Sequence, residues 1–286
     1  MLRADLASPL NEELERLNDQ SKARAIAVAV HDLESGWRFS LRADRWFLAA
    51  STIKVALLLA VFRAADESRL RLDDSLHVRN RFFSAADGSP FHLNPDSDAM
   101  PELYQAIGRT AKISALAQGM ISASSNLATN LLLDLVGVEY ARKVLRDAQV
   151  DGVELRRGVE DHAAHQREIN NEVTADGLVR LLSAVRGDFL SKESKEQAIR
   201  ILLEQRFKSM IPAGLPAHAT VAHKTGEIST ACHDMGIVYL PEREPYIAVI
   251  LTEFASEQDG RRETVAAISE AIYRSVVGME PKSNER

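Results

Sequence analysis

The sequence predicts an α+β protein: one antiparallel sheet built from both chain ends, flanked by N- and C-terminal helices, with an all-helical part inserted between its halves. Three observations predict this. Strand patterns stand near the start at Ala25–Val30 and Trp37–Leu41. Strand patterns return after Pro216, while nearly every apolar segment from residue 50 to 205 recurs with helical period. The expected division is a discontinuous sheet domain, 1–48 with 206–286, and a helical domain, 49–205, carrying an Ω-like loop at 151–171.

The elements follow in order. Leu10, Leu14 and Leu17 share one helical face; Ala25–Val30 reads as a buried strand, and a turn at Glu34–Gly36 leads to a second strand at Trp37–Leu41. Val55–Ala65, Ile113–Ala123, Asn126–Val136 and Gly177–Val185 read as helices. Thr220–His223, Met235–Leu240 and Tyr246–Thr252 read as strands, and Arg262–Val276 closes the chain as a helix. Trp37 and Trp46 are expected to be core or sheet-packing residues, and Pro281–Arg286 to fray. Two irregular stretches, Arg79–Met100 and Asp151–Asn171, are long enough to suggest functional loops.

With 286 residues, 45% of them hydrophobic, the chain buries a large core. A net charge of −6 and no basic stripe argue against nucleic acid as a partner. The single cysteine, Cys232, excludes an internal disulfide and a cysteine-based metal cluster, and the eight histidines show no ligand spacing, so no metal is expected. The first residues hold no apolar h-region, and no window reaches the length of a membrane span. As it stands the sequence reads as cytoplasmic, or as periplasmic or secreted if a signal peptide has been removed.

The chemistry is carried by pairs and triplets far apart in the chain. Ser51 and Lys54 stand at i and i+3 at the start of an apolar helix, so that an amine shares a face with a hydroxyl. Apolar surroundings lower a lysine pKa towards useful base strength. Alone the spacing is weak evidence, since about one Ser-x-x-Lys arises by chance in a chain of this size. Ser124-Ser125-Asn126 adds a hydroxyl and an amide where two helical segments meet, and Lys224-Thr225-Gly226 ends a strand with a glycine that lets substrate backbone lie close.

In this order, Ser-x-x-Lys, Ser-x-Asn and Lys-Thr-Gly, the chain resembles the class A β-lactamase and penicillin-binding-protein serine hydrolases, over roughly residues 20–277. The resemblance implies a β-lactamase/transpeptidase-like fold, a small-molecule substrate (a β-lactam, or a small ester or peptide) and no cofactor. It implies Ser51 as the acylated nucleophile, Lys54 as its proton-exchanging partner and Ser124 as the relay to the leaving nitrogen. Asn126 would hold the substrate amide, Lys224 with Thr225 would bind its carboxylate, and Gly226 would let its backbone lie along the strand edge. The backbone N–H groups of Ser51 and Glu227 would form the oxyanion hole.

A base that activates water separates a lactamase from a penicillin-binding protein. Gap-free alignment puts Glu160 at that position, whereas anchoring on Arg167-Glu168-Ile169-Asn170 puts Gln166 there; the first needs no gap and is preferred. Two departures stand out. Ser125 replaces the family's aspartate, with local hydrogen bonding still open to it. Glu227 follows Lys-Thr-Gly, where a carboxylate is expected to oppose anionic substrates by about 1 kcal/mol. The leading expectation is hydrolysis of the β-lactam amide through a Ser51 acyl-enzyme. An esterase or D-alanyl carboxypeptidase, and a slowly acylating penicillin-binding or sensor module, share the acylation step and differ in the fate of the acyl group.

Overall fold

The computed structural model describes residues 4–278, with side chains from residue 9 onward. The tail expected at Pro281–Arg286 lies outside the described residues. Strands β1 (Ala25–Asp32) and β2 (Arg38–Leu41) form a hairpin, and β3 (Thr220–Ile228), β4 (Ala231–Tyr239) and β5 (Tyr246–Glu253) form a meander. β5 pairs antiparallel with β1, from Ala25 opposite Glu253 to Asp32 opposite Tyr246, giving one sheet of order β3-β4-β5-β1-β2.

Alternation along β1 explains why this strand is central. Ile26, Val28 and Val30 join one core, and Ala25, Ala27 and Ala29 join the other. The large side chains meet α1 (Ala4–Ser21) and α9 (Arg261–Val277) through Leu10, Leu14, Val265, Ile268 and Ile272. Full burial of each such side chain contributes about 1.5–3 kcal/mol. The alanine face lets α7 (Ala175–Arg186) approach closely from the opposite side.

Between the two stretches of sequence that build the sheet comes α2 (Lys54–Asp66), in which every residue from Lys54 to Phe62 is buried. A helix that is apolar all round belongs at the centre of a bundle. Here α3 (Ile113–Ser122), α4 (Asn126–Val136), α5 (Val138–Asp147) and α8 (Lys192–Leu203) surround it. A short helix, α6 (His162–Gln166), lies in the Ω-like loop.

Three details differ from the sequence reading. The stretch 49–205 is not purely helical: Glu172–Val173 pairs with both Phe47–Leu48 and Val153–Glu154, Ser75–His77 with Thr110–Lys112, and Phe82–Phe83 with Pro90–Phe91. Two- and three-residue pairings carry too little periodicity to read. Trp37 is buried, but Trp46 is 46% exposed, because alternation turns the neighbouring Phe47 inward instead. Finally, Lys-Thr-Gly does not end its strand. β3 continues to Ile228, with Lys224 opposite Met235, Gly226 opposite His233 and Glu227 opposite Cys232. Arg261 holds this extension by donating to the carbonyls of Ile228 and Ser229 at 2.8 and 3.0 Å.

Candidate active site

Ser51 lies in a 3₁₀ turn, Ala50–Ile53, that feeds into α2 at Lys54, so the helix begins later than the sequence suggested. The turn is entered through Ala50 at φ 46°, a left-handed conformation uncommon for a non-glycine residue. It is pressed against β3: a Cβ built on Gly226 would lie 3.0 Å from Thr52 N and 3.1 Å from Ser51 N. The glycine of Lys-Thr-Gly thus lets the strand pass close against the nucleophile turn. Ser51 stands between two cavities. One, of about 420 Å³, is bordered by Asn126, Glu160, His162 and His165; the other, of about 220 Å³, by Ser124, Thr225, Glu227 and Arg262.

Lys54 is fully buried, and its ammonium donates to Ser124 O at 2.7 Å, Ser124 Oγ at 3.2 Å and Asn126 Oδ1 at 2.7 Å. These three acceptors use all three N–H groups, so the protonated lysine has none left for Ser51. Burial lowers its pKa from 10.5 to about 7, against the opposing pull of the Asp98 and Glu160 carboxylates. On losing a proton, Lys54 gains a lone pair that is able to accept the Ser51 proton. Lys224, also fully buried, donates to the same Ser124 Oγ at 3.0 Å and to Thr225 O at 2.7 Å. Burial and the Lys54 charge lower its pKa well below the usual lysine value, with Asp234 opposing. Two amines thus converge on one hydroxyl, with Ser124 held at φ 59° to present it.

Glu160 borders the same cavity as Ser51 and Asn126, while Gln166 lies exposed on α6 and does not line it. Glu160 Oε1 accepts from Asn126 Nδ2 at 2.6 Å and from Ser97 Oγ at 3.3 Å. The Asn126 orientation is fixed from both sides, since its oxygen must face an ammonium and its nitrogen a carboxylate. Glu160 sits at φ 57° between two anchored neighbours. Asn130 brackets Val159, accepting from its N–H at 2.8 Å and donating to its carbonyl at 3.0 Å. The buried Asp161 accepts from Ser84 Oγ, Ala85 N and Ala164 N at 2.7, 2.8 and 3.1 Å.

The opposition expected from Glu227 is corrected by its surroundings. Its carboxylate accepts from Arg261 at 3.1 Å and from Arg262 at 2.9 Å, so two guanidinium groups answer its charge. Arg262 borders the same cavity as Ser124, Thr225 and Glu227, so the Glu227 carboxylate does not stand there unanswered. Among the described residues no three His, Cys, Asp or Glu side chains converge as a metal's ligand set. His233 is buried with Nε2 on the Leu48 carbonyl and Nδ1 accepting from Thr252 N, and desolvation lowers its pKa to about 4.

The structure therefore brings Ser51, Lys54, Ser124, Asn126, Glu160, Lys224, Thr225, Gly226 and Glu227 around one cleft. Sequence reasoning missed Asp98, Ser97, Arg261 and Arg262. Asp98 and Ser97 lie in the irregular Arg79–Met100 stretch, where no spacing ties them to Ser124-Ser125-Asn126. The only signal for Arg262 was its place at the start of the last helix.

A buried amine beneath a cleft serine, a second hydroxyl shared by two lysines and a glycine strand against the nucleophile define a serine acyl-transfer site. The model of the Beta-lactamase enzyme family matches residues 9–276, and the chain belongs to that family. Beta-lactamase ROB-1 of Haemophilus influenzae is 28% identical over 272 residues, covering 93% of this chain and 84% of the relative. An ancestral (GNCA) class A β-lactamase structure aligns with TM-score 0.80 and 26% identity, over 93% of this chain and 99% of that one. A mutant of PBP-A, solved as an acyl-enzyme complex with penicillin G, aligns with TM-score 0.81 over 95% and 97% of the two chains; at 24% identity this likeness concerns the fold.

Proposed function

We propose that the protein hydrolyses the β-lactam amide through a Ser51 acyl-enzyme. The observation that carries this reading is the Lys54 amine, buried, lowered to a pKa of about 7 and held on Ser124 and Asn126 one turn from Ser51. In the proposed sequence Lys54 accepts the Ser51 proton as Oγ bonds to the lactam carbonyl carbon. The oxyanion forms against the N–H groups of Ser51 and Glu227. When the C–N bond breaks, Ser124 donates its proton to the leaving nitrogen and is reprotonated by Lys54. Lys224, Thr225 and Arg262 receive the substrate carboxylate, whose charge the Arg262 guanidinium answers across the pocket.

For hydrolysis, Glu160 takes a proton from water as its oxygen attacks the ester carbonyl, and that proton passes from Glu160 to Ser51 Oγ as the ester C–O bond breaks, returning both groups to their starting states. Glu160 first has to release Asn126 Nδ2, the donor that a substrate acyl-amide carbonyl would claim. A second reading draws on that same contact. With the carboxylate engaged by Asn126 and Ser97, slow deacylation and a trapped adduct suit a penicillin-binding protein.

Mass spectrometry of the protein mixed with penicillin G, followed in time, separates the two. Rapid return to free mass with hydrolysed product is expected. A lasting adduct would establish the second reading, and the absence of any adduct would remove both. Glu160→Gln is expected to convert a transient adduct into a lasting one; normal deacylation by this variant excludes Glu160 as the base.

A further inference from the structure

The corner that aims Ser124 and Asn126 is held from outside its own segment. Asp98 is only 6% exposed, and its Oδ2 accepts from the backbone N–H groups of Asn126 and Leu127 at 2.9 Å each and from Ser125 Oγ and Tyr104 OH at 3.2 Å each. Its Oδ1 accepts from Met100 N at 2.9 Å. Asn126, Leu127 and Ala128 carry the first free N–H groups of α4; Asp98 takes two, and Ser125 Oγ takes the third at 3.2 Å. The negative charge also lies at the positive end of the helix dipole.

We propose that Asp98 is the positioning residue of the Ser124–Asn126 corner and of the Lys54 ammonium held there, supplying from a separate loop the carboxylate that Ser-Ser-Asn lacks. Four features argue for this. Ser124 is left-handed at φ 59°, so something must hold the turn; Ser125 N–H donates to the Gly119 carbonyl, and Asp98 holds the N–H groups of Asn126 and Leu127 just beyond it. The Ser124 carbonyl, Ser124 Oγ and Asn126 Oδ1, all on this corner, are the three acceptors of Lys54. Asp98 is the larger of the two carboxylate influences favouring the protonated form of Lys54. Residue 125 touches Asp98 Oδ2 through its own side chain, so a carboxylate placed at 125 would fall in the same region.

The test compares the unaltered protein, Asp98→Asn, and the double variant Asp98→Ala with Ser125→Asp. Two readouts are taken: Ser51 acylation by penicillin G across pH, and titration of Lys54 in the free protein by lysine side-chain NMR, with Lys54→Arg assigning the signal. Asp98→Asn is expected to slow acylation by about tenfold or more, because charge-assisted bonds to two N–H groups are lost. Removing the carboxylate lowers the Lys54 pKa further, so its titration and the acid limb of acylation should move down by about one pH unit. The double variant should recover most of the rate and return the titration upward. Should Asp98→Asn fail to fold, a folded and acylating double variant supports the proposal.

Unchanged acylation and an unchanged Lys54 titration in Asp98→Asn overturn it. So does slower acylation with an unmoved titration and no recovery in the double variant, which leaves Asp98 a purely structural cap. The proposal assumes the hydrolase reading only for the acylation readout. If the unaltered protein takes no acyl group, that reading fails, while the Lys54 titration still decides the role of Asp98.

Discussion

Acylation should depend on pH through Lys54, in a direction and range that the structure fixes. Only the neutral amine accepts the Ser51 proton, and the Lys54 pKa is about 7. The neutral fraction is then about one half at pH 7, one tenth at pH 6 and one hundredth at pH 5. The second-order rate of Ser51 acylation by penicillin G should therefore rise about fiftyfold from pH 5 to 7 and level off above pH 8. Stopped-flow or mass-spectrometric acylation rates measure this, with near-UV circular dichroism at each pH showing that the fold persists. A rate flat between pH 5 and 8, or rising on acidification, refutes Lys54 as the acylation base.

The same shift has a stability counterpart. Lowering a buried lysine from 10.5 to about 7 corresponds to ~5 kcal/mol disfavouring its protonated form in the folded state. Between about pH 7 and 10.5 the unfolded chain holds a proton on Lys54 that the folded chain has released, so this contribution makes stability rise with pH through that window. Below the folded pKa the penalty is fully present; above the unfolded pKa it is gone. Lys54→Met should abolish acylation and remove this slope from denaturant-unfolding measurements.

Two further predictions test the walls of the cleft. Gly226→Ala should destabilise the protein by about 1–3 kcal/mol and remove most acylation, because the new methyl meets Thr52 and the Ser51 backbone nitrogen; a wild-type melting temperature and rate would contradict that contact. Arg262→Ala should raise KM for an anionic β-lactam by about threefold or more while leaving KM for a neutral p-nitrophenyl ester unchanged. Equal changes for both substrates would exclude a charge effect.

What the sequence made legible was whatever depends on short-range pattern. β1 announced itself because both of its faces are buried, and α2 because an apolar run bounded by Ser51 and Asp66 has few other folded forms. The three motifs pointed to Ser51, Lys54, Ser124, Asn126 and Lys224 because each is a short run of adjacent residues whose order matches that of a known family. Asp98 stayed hidden because its partners at 125–127 are close only in space. Glu227 was misjudged for a related reason: a carboxylate was visible in the sequence, but Arg261 and Arg262, thirty-odd positions later, were not visibly its neighbours. Glu160 stood between two alignments, and only the packing of the Ω-like loop separates its place in the cleft from the exposed place of Gln166.

Strand order carries a consequence for how this protein comes into being. β1 emerges from the ribosome early, yet its edge partner on one side is β5, and β3, beside the nucleophile turn, joins the sheet only through β4 and β5. Until those late strands are made, β1 has a long unpaired apolar edge and α2 has no strand against its nucleophilic end. Pairing residues as far apart in sequence as Ala25 and Glu253 also slows closure of that edge. The cleft is completed equally late: Lys224 and Gly226 are supplied by this same late segment, so a truncated chain holds Ser51 without the groups that complete its cleft.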